Sequence, residues 1–165
     1  MLPPSAAPAP AAQVDPLLAF VREIGLEVQE ASLKDQPTFL PGLLIDRGRL
    51  VVDRQRLLYP GDILHEAGHL AVTPAAERPL LGGNVTEGQP EKEGEELAVL
   101  CWTYAACRAL QLPPEVIFHP AGYKGQSAWL IEEFESGRYL GLPLLAWMDL
   151  TTTASFPHMQ RWLRA

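Results

Sequence analysis

Basic residues are scarce in this 165-residue chain: 13 Lys and Arg stand against 20 Asp and Glu, for a formal charge of −7. That shortage argues against nucleic acid as a partner, because neutralising phosphates takes clustered Lys and Arg. It argues in the same way against an anionic membrane surface. Long apolar runs are missing too. The apolar interior run Leu97–Cys107 has 11 residues, short of the roughly 18–20 of a membrane span, and it suits a buried helix. Cysteine is nearly absent. Cys101 and Cys107 sit six apart in that same run, about 240° apart around a helix. They therefore face different ways, cannot easily bridge, and read as reduced core residues. The start of the chain carries no charge before Asp15 and is broken by four prolines. It lacks the basic and continuous apolar regions of a secretory signal, so the expected location is cytoplasmic.

Residues 1–13 are rich in Pro and Ala and read as a flexible leader, followed by a single domain over 14–165. If that leader is ordered, a neighbouring copy of the chain is the expected partner, which makes a homo-oligomer one expectation. Asp15-Pro16 reads as the cap and first position of a helix, with Leu17, Leu18, Phe20, Val21 and Ile24 as its apolar stripe and Gly25 at its end. Two β-like runs, Leu43–Ile45 and Leu50–Val52, flank Asp46-Arg47-Gly48-Arg49 and predict a hairpin. Pro60 opens a helix that Thr73-Pro74 stops, and a third helix spans about 90–110. Ser127 could cap a fourth helix through Phe134, closed by Gly137. Trp102, Trp129, Trp147 and Trp162 are expected in the core. The fold class expected is α+β, with a small antiparallel sheet packed against a helical core.

Residues 65–69 read His-Glu-Ala-Gly-His, the pattern H-E-x-x-H. On a helix, positions i and i+4 lie about 40° apart around the axis and roughly 6 Å along it. Two imidazoles so placed can bind one Zn²⁺ from one face, while Glu66 lies beside them, placed to take a proton from metal-bound water. Chance would produce these three residues in about one in 200 chains of this length. Here the pattern also falls inside an apolar helix, flanked by Ile63, Leu64, Leu70, Ala71 and Val72. Without a metal, two histidines and a carboxylate in such a helix would need several unrelated partners. Ala67 and Gly68 are small and permit other elements to pack close by.

A catalytic zinc takes a third protein ligand and keeps one open position. Glu87, Glu91, Glu93, Glu95 and Glu96 are the downstream candidates, and a second helix crossing the first could supply one of them. Glu95 and Glu96 are favoured because they directly precede the apolar run, while the others suit a solvated face. Periodicity does not separate the two. Residues 87–96 hold five Glu and one Lys, more than half of the chain's acidic excess. Attack of metal-activated water on a carbonyl passes through an oxyanion, so a donor near the metal is expected. His119 and Tyr123, in a Gly-rich loop, are the candidate transition-state donors.

The chain resembles a gluzincin-type zinc metallopeptidase, nearest to the ImmA/IrrE-like group. The resemblance runs over about residues 17–113. It rests on H-E-x-x-H, on Ile24–Val28 before the first strand, and on Leu44-Ile45-Asp46 and Leu50–Asp53. Arg54-Gln55-Arg56 with Leu57-Leu58 before His65 adds to it, as does Glu95-x-x-Ala98 followed by Leu110–Pro113. Val99 stands where the group usually has Asn, and the Leu/Pro ending is several residues more distant. The resemblance implies His65, His69 and Glu95 as ligands of one Zn²⁺, Glu66 as general base, and a peptide or protein substrate, in that group often a regulatory one. The alternative expectation is a zinc-stabilised interaction or regulatory module without catalysis, with a fourth ligand such as His119 or His158 closing the metal's open position.

Overall fold

The computed structural model describes residues 7–82 and 90–165, with side chains in the third helix described from Gly94 onward. Helix α1 spans Ala11–Glu23 and leads to strand β1 (Val28–Glu30). Strands β2 (Leu43–Asp46) and β3 (Arg49–Val52) precede α2 (Asp62–Val72), and α3 (Pro90–Ala109), α4 (Ser127–Glu135) and α5 (Leu142–Trp147) follow. The fold is α+β, five helices and a small three-stranded sheet among the described residues.

The hairpin forms as its sequence requires. Leu43 pairs with Val52 and Asp46 with Arg49 in antiparallel register. β1, however, joins the other side of β3 in parallel, Val28 opposite Leu50. The sheet is therefore mixed, in the order β1-β3-β2, where an all-antiparallel one was expected. A parallel pair needs a long connection, and here the 31–42 loop and β2 supply it.

α1 starts at Ala11 with Pro10 as its cap and contains Pro16, so the helix begins inside the segment expected to be a leader. Ala11, Ala12 and Gln13 are good helix formers, and the extra turn buries Val14 to 1% exposure. The Ala9 N–H also donates to the Leu57 carbonyl. Residues 1–6 lie outside the described residues. At α4 the cap is Gln126, and Ser127 turns its hydroxyl to the His119 carbonyl at 2.6 Å instead.

Every residue of α2 is buried. α3 crosses it, and the crossing is close because position 68 is glycine: a Cβ there would stand 3.0 Å from Val99 Cγ1 and 3.2 Å from the Trp102 ring. The C-terminal carbonyls of α2, orphaned by the end of the helix, are met by distant donors. Arg78 Nε donates to Leu70 O at 2.8 Å, and the Arg164 N–H to Ala71 O at 2.9 Å. Trp102 Nε1 holds the same tail through Trp162 O at 3.0 Å. Cys101 and Cys107 are buried free thiols. Trp102 is in the core and Trp162 packs against it, but Trp129 and Trp147 are 48% and 70% exposed, against expectation. Arg164 covers the Trp147 ring at 5.0 Å, a contact that a core position does not need. Among the described residues no helix is long and apolar enough to cross a membrane.

Candidate metal centre

The helical spacing of His65 and His69 puts both rings on one face of α2, 5.0 Å apart between centroids and nearly perpendicular. Their Nε2 atoms converge on one carboxylate from α3. His65 Nε2 lies 3.1 Å from Glu96 Oε1, and His69 Nε2 lies 3.2 Å from Glu96 Oε2. All three donor groups offer an atom within 4.8 Å of the others, so the cluster could hold a metal ion. The fit is a matter of bond lengths. Neighbouring ligands of a tetrahedral zinc with bonds of 2.0–2.1 Å stand about 3.3 Å apart, close to the distance of each histidine Nε2 from its own Glu96 oxygen.

The structure thus brings Glu96 to the histidines, and not Glu95. One residue is a rotation of about 100° on a helix. That rotation carries Glu95 to a different cleft, bordered by Leu97, Leu144, Trp147 and Arg164. The segment of α3 entering the cluster is followed at once by Leu97, which is 44% exposed, and then by the buried Ala98 and Val99. The helix therefore meets α2 along the side shared by 96 and 99, three apart. Glu87 lies outside the described residues, as do the side chains of Glu91 and Glu93.

Electrostatics couple the three groups. Burial works to raise the Glu96 carboxyl and to lower His65. The hydrogen bonds and charge between them outweigh it, holding Glu96 far below the ordinary carboxylate range and His65 above the usual imidazole value. Glu66, next to His65 on α2, is 7% exposed. Burial pushes its carboxyl up, against the attraction of His69 and His65.

The cluster opens on a cavity of about 440 Å³. One wall is Phe39, Leu40 and Pro41, from the loop before β2. The other is Ala121, Gly122, Tyr123 and Lys124. His65 and Glu96 reach its lining, and so do Tyr59, Asp62 and His119. The last two form a pair that the motif did not signal. His119 Nε2 meets Asp62 Oδ1 at 2.7 Å, both side chains buried, and Tyr59 stacks on the imidazole at 4.1 Å. Asp62 is three residues before His65, on the same face, which was the available clue. Burial raises its carboxyl, with His119 pulling the other way.

His119 and Tyr123, the two candidate donors, thus both stand at the cavity, but each is engaged with α2. His119 is paired to Asp62, and the Tyr123 hydroxyl lies 3.3 Å from His65 Nδ1. His158 is exposed. Among the described residues no fourth protein donor joins the cluster. Set against known protein families, curated proteins and solved structures, the chain matches none of them.

Proposed function

We propose that this protein is a zinc-dependent peptidase, with His65, His69 and Glu96 holding one Zn²⁺ and Glu66 acting as general base. The observation that carries the reading is the convergence of two Nε2 atoms and one carboxylate, three donors and no fourth among the described residues, beside an open cavity. A catalytic zinc site has that ligand count, whereas a structural one is closed by four.

When bound, zinc supplies a Lewis acid that brings the pKa of water to about 7. The remaining work falls to the chain. Glu66 takes the proton of the attacking water and hands it to the leaving amine, a double role that the position beside both histidines supports. The apolar lining of Phe39, Leu40, Pro41 and Ala121 suits a peptide carrying a bulky apolar side chain next to the scissile bond. A regulatory protein substrate of that kind accords with the family resemblance.

Two measurements test this. Metal analysis of the purified protein is expected to find one zinc per chain. A Glu66→Gln variant is expected to keep that zinc and lose about 10²–10⁴-fold in turnover of peptides. A chain that takes up no zinc and gains no stability from it refutes the reading, as does unchanged turnover in Glu66→Gln.

A further inference from the structure

We infer that the segment His119–Gly125 is a strap that locks the orientation of His65, with Tyr123 as a positioning residue. The inference rests on the metal reading above and adds to it how one ligand is held. An imidazole that gives one nitrogen to a metal carries its proton on the other, and a partner for that proton sets the ring's tautomer and angle. His65 Nε2 faces Glu96, so Nδ1 is the outer nitrogen, and it meets the Tyr123 hydroxyl at 3.3 Å. With Nε2 committed to a metal, the Nδ1–H donates and the tyrosine oxygen accepts.

The tyrosine is held from several sides. Its ring packs edge-on against Phe118 at 5.3 Å. Its backbone is left-handed, as is that of Lys124, at φ 56° and 53°. Non-glycine residues keep that conformation only where their surroundings impose it. Here the surroundings include an anchor four residues earlier, His119 bonded to Asp62 and stacked on Tyr59, with the Ser127 hydroxyl fixing the His119 carbonyl. The strap reaches α2 because Gly61 lets the chain pass. A Cβ at 61 would lie 1.9 Å from the Val116 carbonyl oxygen. Asp62 and His65 share a face of α2, so the strap grips the helix at two points one turn apart.

The test uses Tyr123→Phe, which removes one oxygen and keeps the ring, together with His119→Gln and the double variant. Zinc affinity is read by competition with a chelator. Tyr123→Phe is expected to bind zinc about 10–100-fold more weakly. His119→Gln is expected to weaken it as well, and the double variant no further than the worse single, since both act through one contact. In zinc-loaded protein with ¹⁵N-labelled histidine, the His65 Nδ1–H signal should exchange slowly in the wild type and broaden in both variants. A purely structural role would leave that signal in place. Unchanged affinity with an unmoved Nδ1–H signal overturns the strap, and so do additive losses. If the wild type takes up no zinc, the metal reading fails by itself. The strap is then judged on the metal-free protein, where Tyr123→Phe must still shift the His65 Nδ1 resonance; no shift overturns it.

Discussion

Exchanging Glu96 for Gln separates the two neighbouring glutamates, and the size of the effect follows from the donor geometry. Glu96 supplies one of three donors, 3.1 and 3.2 Å from the two imidazoles. Four-ligand structural zinc sites bind with about 10–16 kcal/mol, or roughly 2.5–4 kcal/mol per ligand. Removing one donor should therefore weaken zinc by about 100-fold or more. The assay is the zinc-induced rise in melting temperature, because the removal also changes the metal-free protein. At free zinc 100 times the wild-type dissociation constant, binding adds about 2.7 kcal/mol. In a chain of this size that is about 5–11 °C. At the same zinc, a 100-fold weaker variant gains about 0.4 kcal/mol, or 1–2 °C. Glu95→Gln should keep the full rise, because Glu95 borders the cleft beside Trp147 and not the cluster. A full rise in Glu96→Gln together with a lost one in Glu95→Gln would refute the assignment.

Two further outcomes follow from the packing. Gly68→Ala puts a methyl 3.0 Å from Val99 Cγ1, 3.2 Å from the Trp102 ring and 3.3 Å from Thr103 Oγ1, so these packed side chains must each give by a few tenths of an ångström. Overpacking costs about 1–3 kcal/mol and alanine's helix propensity offsets up to about 1 kcal/mol of that, so a net loss of about 1–2 kcal/mol in denaturant unfolding is expected, with weaker zinc binding, since the ligands sit on both helices. Asp53 accepts from the Leu33 N–H at 2.8 Å, the Gln55 N–H at 3.0 Å and Arg56 at 3.0 Å. Burial pushes its carboxyl up, but these bonds outweigh it and hold the group below its ordinary value. Its contribution is thus present above the unfolded value near 3.8 and fades as pH falls through the folded one. Asp53→Ala should cost about 1–3 kcal/mol at neutral pH. In melting curves across pH the gap from wild type should narrow in acid, and a gap that widens there would contradict the assignment.

Much of this molecule is legible locally. The i, i+4 histidines needed only helical periodicity to be placed on one face. The ends of α2 and α3 were marked by Pro60, Thr73-Pro74 and Pro113. The hairpin was marked by its turn between two apolar runs. These features depend on neighbours within a few residues, and short-range sterics and hydrogen bonding decide them.

The rest is decided by which distant surfaces meet. β1 chose a parallel partner because the loop before β2 returns the chain to the far side of β3. Glu96 rather than Glu95 reached the histidines because α3 lays the 96 and 99 side on α2, and a 100° step has no signature in a segment apolar nearly all round. His119 and Tyr123 were visible as chemistry but not as contacts: Asp62 and His65, more than 50 residues away, settle what they face. The sequence alone determined that two histidines and a glutamate would stand together on one helix. Only the tertiary structure decided which carboxylate completes the cluster and which loop closes over it, because both depend on how rigid elements dock across the core and not on the order of residues within them.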